Sequence, residues 1–322
     1  MKGRGEGESR YTHAMAKATE ANPWAPTLRQ VEAFQTQVLT WFASYGRDLP
    51  WRRTRDPYAI LVSEIMLQQT QVPRVLPYFT KFMNAFPSVE ALACATVGSV
   101  LRVWQGLGYN RRPVYLHRSA IDVVSRFGGQ FPTSVESLES LSGVGRYTAR
   151  AVACFAFETQ VSLVETNIRK AIHYFVCQAD GPLNPDVENL AAQLLPSGNA
   201  WTWNQALIDF GAVFLSGAVP SRPVGSQRPS AKQSAPFETS NRYWRGRIVA
   251  ALCGYPLPVS TQTLIRELPE GRDEYRIRSL LADLESDGLV ALEPNQDTVT
   301  LASGRRTPSE IRPRAVRGRI KK

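Results

Sequence analysis

Apolar residues recur at helical spacing through most of the first two thirds of the chain. Val31, Phe34, Val38, Leu39, Trp41 and Phe42 fall on one face of an amphipathic helix. Similar patterns predict helices over Ile60 to Gln71, Pro77 to Phe86, Val97 to Trp104, Pro113 to Phe127 and Val135 to Leu141. Further helices are expected over Ala149 to Phe157, Asn167 to Val176, Asp186 to Leu195 and Asn204 to Phe214. Short Gly/Pro joints separate them: Phe86-Pro87, Gly106-Leu-Gly108, Gly128-Gly129 and Gly143-Val-Gly145. No alternating strand pattern interrupts the series, so residues 27–215 read as an all-α body.

The pattern changes after that. Residues 216–240 are rich in Ser and Pro without apolar period and read as a linker. Over 241–303 a second module follows. It has a helix at Tyr243 to Leu252, a Ser260-capped helix to Leu268, and a third helix marked by Ile277, Leu280, Leu281 and Leu284. Leu289 to Leu292 and Thr298 to Leu301 then form an expected two-stranded hairpin. Three helices and a hairpin predict a winged-helix (α+β) domain. Polar residues 1–26 and the tail 304–322 are expected to be disordered.

Composition narrows the class. The chain has 322 residues, 43% hydrophobic and 20% charged, with a formal net charge of +10. That balance describes a globular protein, and the positive charge either favours a polyanionic partner or merely aids solubility. From Arg305 to Lys322 there are eight basic residues and one acidic residue, enough to neutralise phosphates without reading sequence. No apolar run approaches the roughly 18 residues of a membrane span, and no apolar h-region stands at the N-terminus. No membrane partner is expected. The four cysteines, Cys94, Cys154, Cys177 and Cys253, are dispersed and lack Cys-x-x-Cys spacing. Cys94, Cys154 and Cys253 have apolar neighbours and read as buried free thiols, consistent with a reducing cytoplasm.

Two features carry chemistry. In Leu141-Ser-Gly-Val-Gly-Arg-Tyr-Thr-Ala149 a Gly-x-Gly turn opens a helix. Backbone amides at such a terminus suit a phosphate, although most such turns are only helix entries. A carboxylate, Glu165, follows in Val164-Glu-Thr-Asn167. Glu64 lies in an otherwise apolar stretch. It reads either as a salt-bridge partner of Arg52 or Arg55, or as a buried carboxyl whose raised pKa makes it a proton donor near neutrality. One turn on, Gln68 and Gln69 are amides suited to base edges or to a gap in a base stack, or are merely solvated.

Leu49-Pro-Trp-Arg52, Arg55-Asp-Pro-Tyr58, Ser63-Glu-Ile-Met-Leu-Gln-Gln-Thr-Gln71, Trp104-Gln-Gly-Leu-Gly-Tyr109, the 141–149 turn and Asn204-Gln-Ala-Leu-Ile-Asp209 occur in that order. Over about residues 28–215 the chain resembles the MutY-type adenine DNA glycosylases of the helix-hairpin-helix superfamily. The resemblance implies a helix-hairpin-helix body acting in base excision repair on double-stranded DNA with a mismatch or oxidised base. The expected reaction is hydrolysis of the N-glycosidic bond of adenine opposite guanine or 8-oxoguanine. It implies that Glu64 protonates the leaving base and that Glu165, where the family has aspartate, stabilises the oxocarbenium-like sugar with support from Asn167. Tyr147 stands where bifunctional relatives carry a Schiff-base lysine, which implies a monofunctional enzyme. Arg52 matches a residue near the flipped base, and Gln69 and Tyr109 match wedges in the stack. Gly143 and Gly145 match the phosphate-binding hairpin, which brings Arg146 to the DNA with them.

Three departures accompany the match. Glu165 is one methylene longer than aspartate. The four cysteines that hold an iron–sulfur cluster after the last core helix are absent: Leu215 stands at the first, and residues 212–240 contain none. No cofactor is therefore expected. The C-terminal module does not resemble the Nudix-like domain of typical members. A mismatch thymine or uracil glycosylase on the same scaffold, and a DNA-binding protein without catalysis, are the alternative readings. A monomer in the cytoplasm, at the nucleoid in a prokaryote, completes the expectation.

Overall fold

The computed structural model describes residues 24–216, 237–269 and 273–303. The expected disordered N-terminal segment, most of the linker and the basic tail lie outside these residues. The chain divides into two compact units, Met1–Arg47 with Ser162–Ser221 and Asp48–Val161 with Arg222–Lys322.

Among the described residues, the first unit holds four α-helices: α1 (Leu28–Tyr45), α9 (Thr166–Gln178), α10 (Val187–Gln193) and α11 (Ala200–Ala212). Thr27 and Gln30 close a capping box at the start of α1. The apolar face read at Phe34 and Val38 is buried here. Phe34 meets Phe175 of α9 at 4.9 Å between ring centroids and the edge of Trp203 of α11 at 5.9 Å. Such contacts add about 0.5–1.5 kcal/mol each beyond area burial.

The second unit holds α2 (Pro57–Leu67), α3 (Val72–Ala85), α4 (Val89–Cys94), α5 (Val97–Trp104), α6 (Arg111–Phe127), α7 (Val135–Glu139) and α8 (Arg146–Phe157). It also holds the C-terminal module: α12 (Asn241–Cys253), β1 (Val259–Ser260), α13 (Thr261–Glu267), α14 (Glu274–Ser286), β2 (Val290–Glu293) and β3 (Thr298–Leu301). The body is helical and the module α+β, as expected. Its helix–strand–helix–helix–strand–strand order is that of a winged helix. Ser260 caps α13 by accepting from the Thr263 amide at 3.1 Å.

The elements depart from expectation in several places, among them the start of α11, at Ala200 rather than Asn204. Helix α2 stops at Leu67 rather than Gln71, because the Arg112 guanidinium takes the carbonyls of Ile65, Met66 and Gln68. Helix α3 begins at Val72, not Pro77, with Pro73 in its first turn and Pro77 inside it. The short α4 carries too little periodicity to be seen in sequence. The sheet has three strands, in order β1-β3-β2, not two. Val259 pairs with Val299 and Val290 with Leu301, all antiparallel.

The module is packed onto the body. Its core of Ile248, Leu252, Leu264, Ile277, Leu281, Val290 and Val299 is continuous with Leu101 of α5 and Val114 of α6. The Gly98 amide donates to the Ala302 carbonyl at 3.0 Å, and Arg102 donates to the carbonyls of Cys253 and Tyr255 at 3.2 and 2.8 Å. Among the described residues, no helix is long and apolar enough to cross a membrane.

Candidate active site

The hairpin is formed by α7, the 140–145 turn and α8. Ser142 anchors the turn, donating to Asp122 of α6 through its amide at 2.9 Å and its hydroxyl at 2.7 Å. Gly143 has φ of 75°, and a Cβ there would lie 2.5 Å from the Tyr115 Cβ. Only glycine meets both conditions. Gly145 occupies the N-cap of α8, and no side chain caps that terminus. Arg146 is exposed in the first turn, with no hydrogen bond or ion pair of its side chain among the described residues. The arrangement is a helix N-terminus without a side-chain cap, whose amides and dipole suit an anion. Tyr147 follows, half-buried, on the same helix.

Helix α2 packs against α8 within the same unit. Every residue of α2 from Tyr58 to Met66 is buried, Glu64 included, at 9% exposure. Asp56 starts this helix by accepting from the amides of Tyr58 and Ala59. Half-buried Arg52 closes the preceding 3-10 turn, while Arg55 pairs with Glu158 at 3.2 Å. Gln68 and Gln69 are exposed beyond the end of α2.

Gln69 and Tyr109, the two wedge candidates, share an uncommon backbone. Their φ angles are 55° and 54°, in the left-handed region that side chains seldom adopt. One residue joins their loops. Arg112 is buried and donates to Ile65, Met66 and Gln68 on one side at 3.1, 2.9 and 2.6 Å, and to Gly108 on the other at 3.1 Å. Burial pushes its pKa down to about 10. Trp104 ties the second loop again, its indole donating to the Gly108 carbonyl at 3.1 Å. Sequence reasoning gave Arg112 no role; a buried arginine beside a Gly-x-Gly loop is the signal it offered.

Glu165 and Asn167 lie in the first unit. Glu165 is the N-cap of α9, its Oε1 accepting from the amides of Asn167 at 2.7 Å and Ile168 at 2.9 Å. The Asn167 side-chain amide donates to Oε2 at 3.3 Å. Glutamate is not among the preferred N-cap residues. The extended backbone here (φ −139°, ψ −176°) lets the longer side chain fold back onto the helix. The added methylene is thus absorbed by the cap, and both carboxylate oxygens are held.

Helix α11 sets this carboxylate in place. Asn204 accepts from the Leu163 amide at 3.0 Å and donates to the Ala200 carbonyl at 2.9 Å, fixing the segment that leads to Glu165. A Cβ at Gly211 would lie 2.0 Å from the Asn167 carbonyl oxygen, so only glycine allows this approach of α11 to the start of α9. Asp209, fully buried, accepts from the Arg47 amide at 2.8 Å and its guanidinium at 2.5 to 2.8 Å. Asn204 and Asp209 belong to a recognised sequence segment, but their work shows only in the fold.

The structure therefore places Glu165 and Asn167 in one unit. Arg52, Glu64, Gln68, Gln69, Tyr109, Gly143, Gly145, Arg146 and Tyr147 lie in the other. Of the three cysteines expected to be buried, Cys154 is, whereas Cys94 and Cys253 are only half-buried; Cys177 is exposed. They sit on four different helices, and Leu215 is buried at the position of the first cluster ligand. This donor set does not fit an iron–sulfur cluster.

Comparison with known proteins agrees with this architecture. Residues 62–197 match the HhH-GPD superfamily of base excision DNA repair proteins. The chain is 41% identical over 187 residues to an adenine DNA glycosylase of Mycolicibacterium smegmatis, covering 57% of this chain and 64% of that one, just under two thirds. It is 35% identical over 269 residues to the adenine DNA glycosylase of Mycobacterium tuberculosis, covering 77% of this chain and 88% of that one. Among solved structures, a thermostable thymine-DNA glycosylase aligns with a TM-score of 0.55 and 30% identity, over 61% of this chain and 90% of that one. The chain belongs to the adenine DNA glycosylase family of the helix-hairpin-helix superfamily.

Proposed function

We propose that the protein is a monofunctional DNA glycosylase of base excision repair that hydrolyses the N-glycosidic bond of adenine mispaired with guanine or 8-oxoguanine. The observation that carries this is Glu165, whose two oxygens are held by three N–H donors. A fixed carboxylate is what a developing sugar cation needs, since it stabilises charge without reorganising during the reaction.

The hairpin amides and Arg146 hold the backbone of the duplex while the target nucleotide is flipped out, at a cost of a few kcal/mol. Gln68, Gln69 and Tyr109 occupy the vacated stack, and Arg52 lines the base pocket. Glu64 gives its proton to the adenine ring, and the C–N bond breaks with its electron pair leaving on the base. Water adds its hydroxyl to the sugar carbon and loses its remaining proton to a carboxylate, the sum being hydrolysis. A phenol at Tyr147 forms no imine, so no strand cleavage accompanies release. No step uses an iron–sulfur cluster, and the enzyme acts as a monomer.

Release of free adenine from an A:8-oxoguanine or A:G duplex, against T:G and U:G duplexes, tests this reading. Glu64→Gln should abolish release and leave duplex affinity within about twofold. Persistent release would remove Glu64 from its role. A second reading, thymine or uracil excision, draws on the likeness to the thymine-DNA glycosylase and on Tyr147. Release from T:G or U:G duplexes alone would favour it.

A further inference from the structure

Where the C-terminal module meets the body, a cleft of about 830 Å³ opens within the second unit. Its lining includes Gln68, Tyr109, Gly143, Phe237, Arg242 and Arg247. Three of these, Gln68, Tyr109 and Gly143, are candidates for the DNA face; the other three come from α12 and the residues just before it.

The Arg242 guanidinium lies over the Tyr109 ring at 4.1 Å from its centroid and 6.0 Å from that of Phe237. Among the described residues it has no hydrogen bond or ion pair, so its planar fork of donors is presented to solvent. Its two aromatic neighbours are themselves exposed, Tyr109 at 37% and Phe237 at 56%. Partly exposed aromatic rings beside a cation with free donors suit the stacked bases and phosphates of a nucleic-acid strand, once the guanidinium over Tyr109 moves to a phosphate.

The charge of the module points to the same face. Helix α12 carries Arg242, Arg245 and Arg247 and no acid. Helix α14, the third helix and the usual reading head of a winged helix, is different. Its Arg276 is spent on Asn241 and the Thr239 carbonyl, and its Arg278 on Glu274 and Asp297. Asp283 and Glu285 add negative charge to it. Arg245 and Arg111 are likewise committed, both to Asp287. Arg242 is thus the cation of this cleft that is held by ring contacts alone.

We infer that the module binds the DNA itself, through α12 rather than α14. In this arrangement Arg242 contacts a phosphate, and the Tyr109 face it now covers receives a base. The inference rests on the reading of the body as a duplex-DNA enzyme. It assigns the module to DNA rather than to a protein partner because the cleft runs into the hairpin turn at Gly143.

Affinity of the full-length chain for a duplex bearing a tetrahydrofuran abasic analogue, which offers no base to excise, is measured against salt. Arg242→Ala should weaken binding about 5- to 20-fold and reduce the slope of log K against log salt by about one. Arg242→Lys should keep the slope while losing part of the affinity, which guards against a variant that fails to fold. Arg276→Ala should change neither. Unchanged affinity and slope in Arg242→Ala would overturn the inference and leave the cleft to a protein partner. So would a loss confined to Arg276→Ala. Adenine release is scored on the same preparations. A wild-type chain that releases none, yet loses affinity in Arg242→Ala, sinks the glycosylase reading and spares this one.

Discussion

A carboxylate that caps a helix and is proposed to face the reacting sugar has two separable jobs, and Glu165 allows them to be pulled apart. Glu165→Gln keeps an oxygen for the amides of Asn167 and Ile168 but removes the charge. Excision should fall by about 10²–10³-fold, as for loss of an electrostatic stabiliser. Stability should move little. Glu165→Ala removes the cap as well and should cost a further 0.5–2 kcal/mol or so in stability. Glu165→Asp, the residue usual in the family, should cap the helix and remain active. Single-turnover release and urea unfolding of the three variants check this. If Gln retained full release, the cap would be the whole purpose of Glu165.

At the scale of elements, much of the fold could be read from the chain and some could not. Helices with a sustained apolar face were legible: α5 spans Val97–Trp104 as expected, and α14 carries its four predicted leucine and isoleucine positions inward. The end of α2 was not, because the polar run after Leu67 has no phase and the residue that terminates the helix, Arg112, lies 44 positions beyond Gln68. Strand β1 is two residues long and exists only through its pairing with β3. In the site, motif residues such as Glu64, Gln69 and Tyr109 were named from sequence. The contacts that hold the Gln69 and Tyr109 loops, through Arg112, and the Glu165 segment, through Asn204 and Gly211, are hidden by sequence order. Arg112→Met tests the most connected of these. It would leave carbonyls at the end of α2 without their donor, and Gly108 with the Trp104 indole alone, at a cost of roughly 2–4 kcal/mol. A lower unfolding midpoint and weaker DNA binding together are expected. An unchanged midpoint would mean that water replaces the guanidinium.

At the scale of the molecule, the C-terminal module shares its core with α5 and α6, so it is not an appendage that can be trimmed. Ending the chain at residue 216 would expose Leu101 and Val114, which are 2% and 3% accessible in the whole protein. The truncated chain should aggregate or unfold at lower temperature. A shift of at least several degrees in a thermal scan is expected, whereas a merely tethered domain would leave the midpoint of the body unmoved.

The left-handed backbones at Gln69 and Tyr109 have a consequence for how such a protein can be improved. Each holds a side chain where glycine would be more comfortable by about 1 kcal/mol. Gln69→Gly should therefore raise the unfolding midpoint while lowering excision, whereas Tyr109→Gly also forfeits the ring contacts with Arg112 and Arg242 and should gain little, measured side by side in denaturant and in single-turnover release. A screen that selects only for heat resistance would drift toward glycine at Gln69 and discard that proposed wedge. Heat resistance and the proposed excision would then compete at that one position.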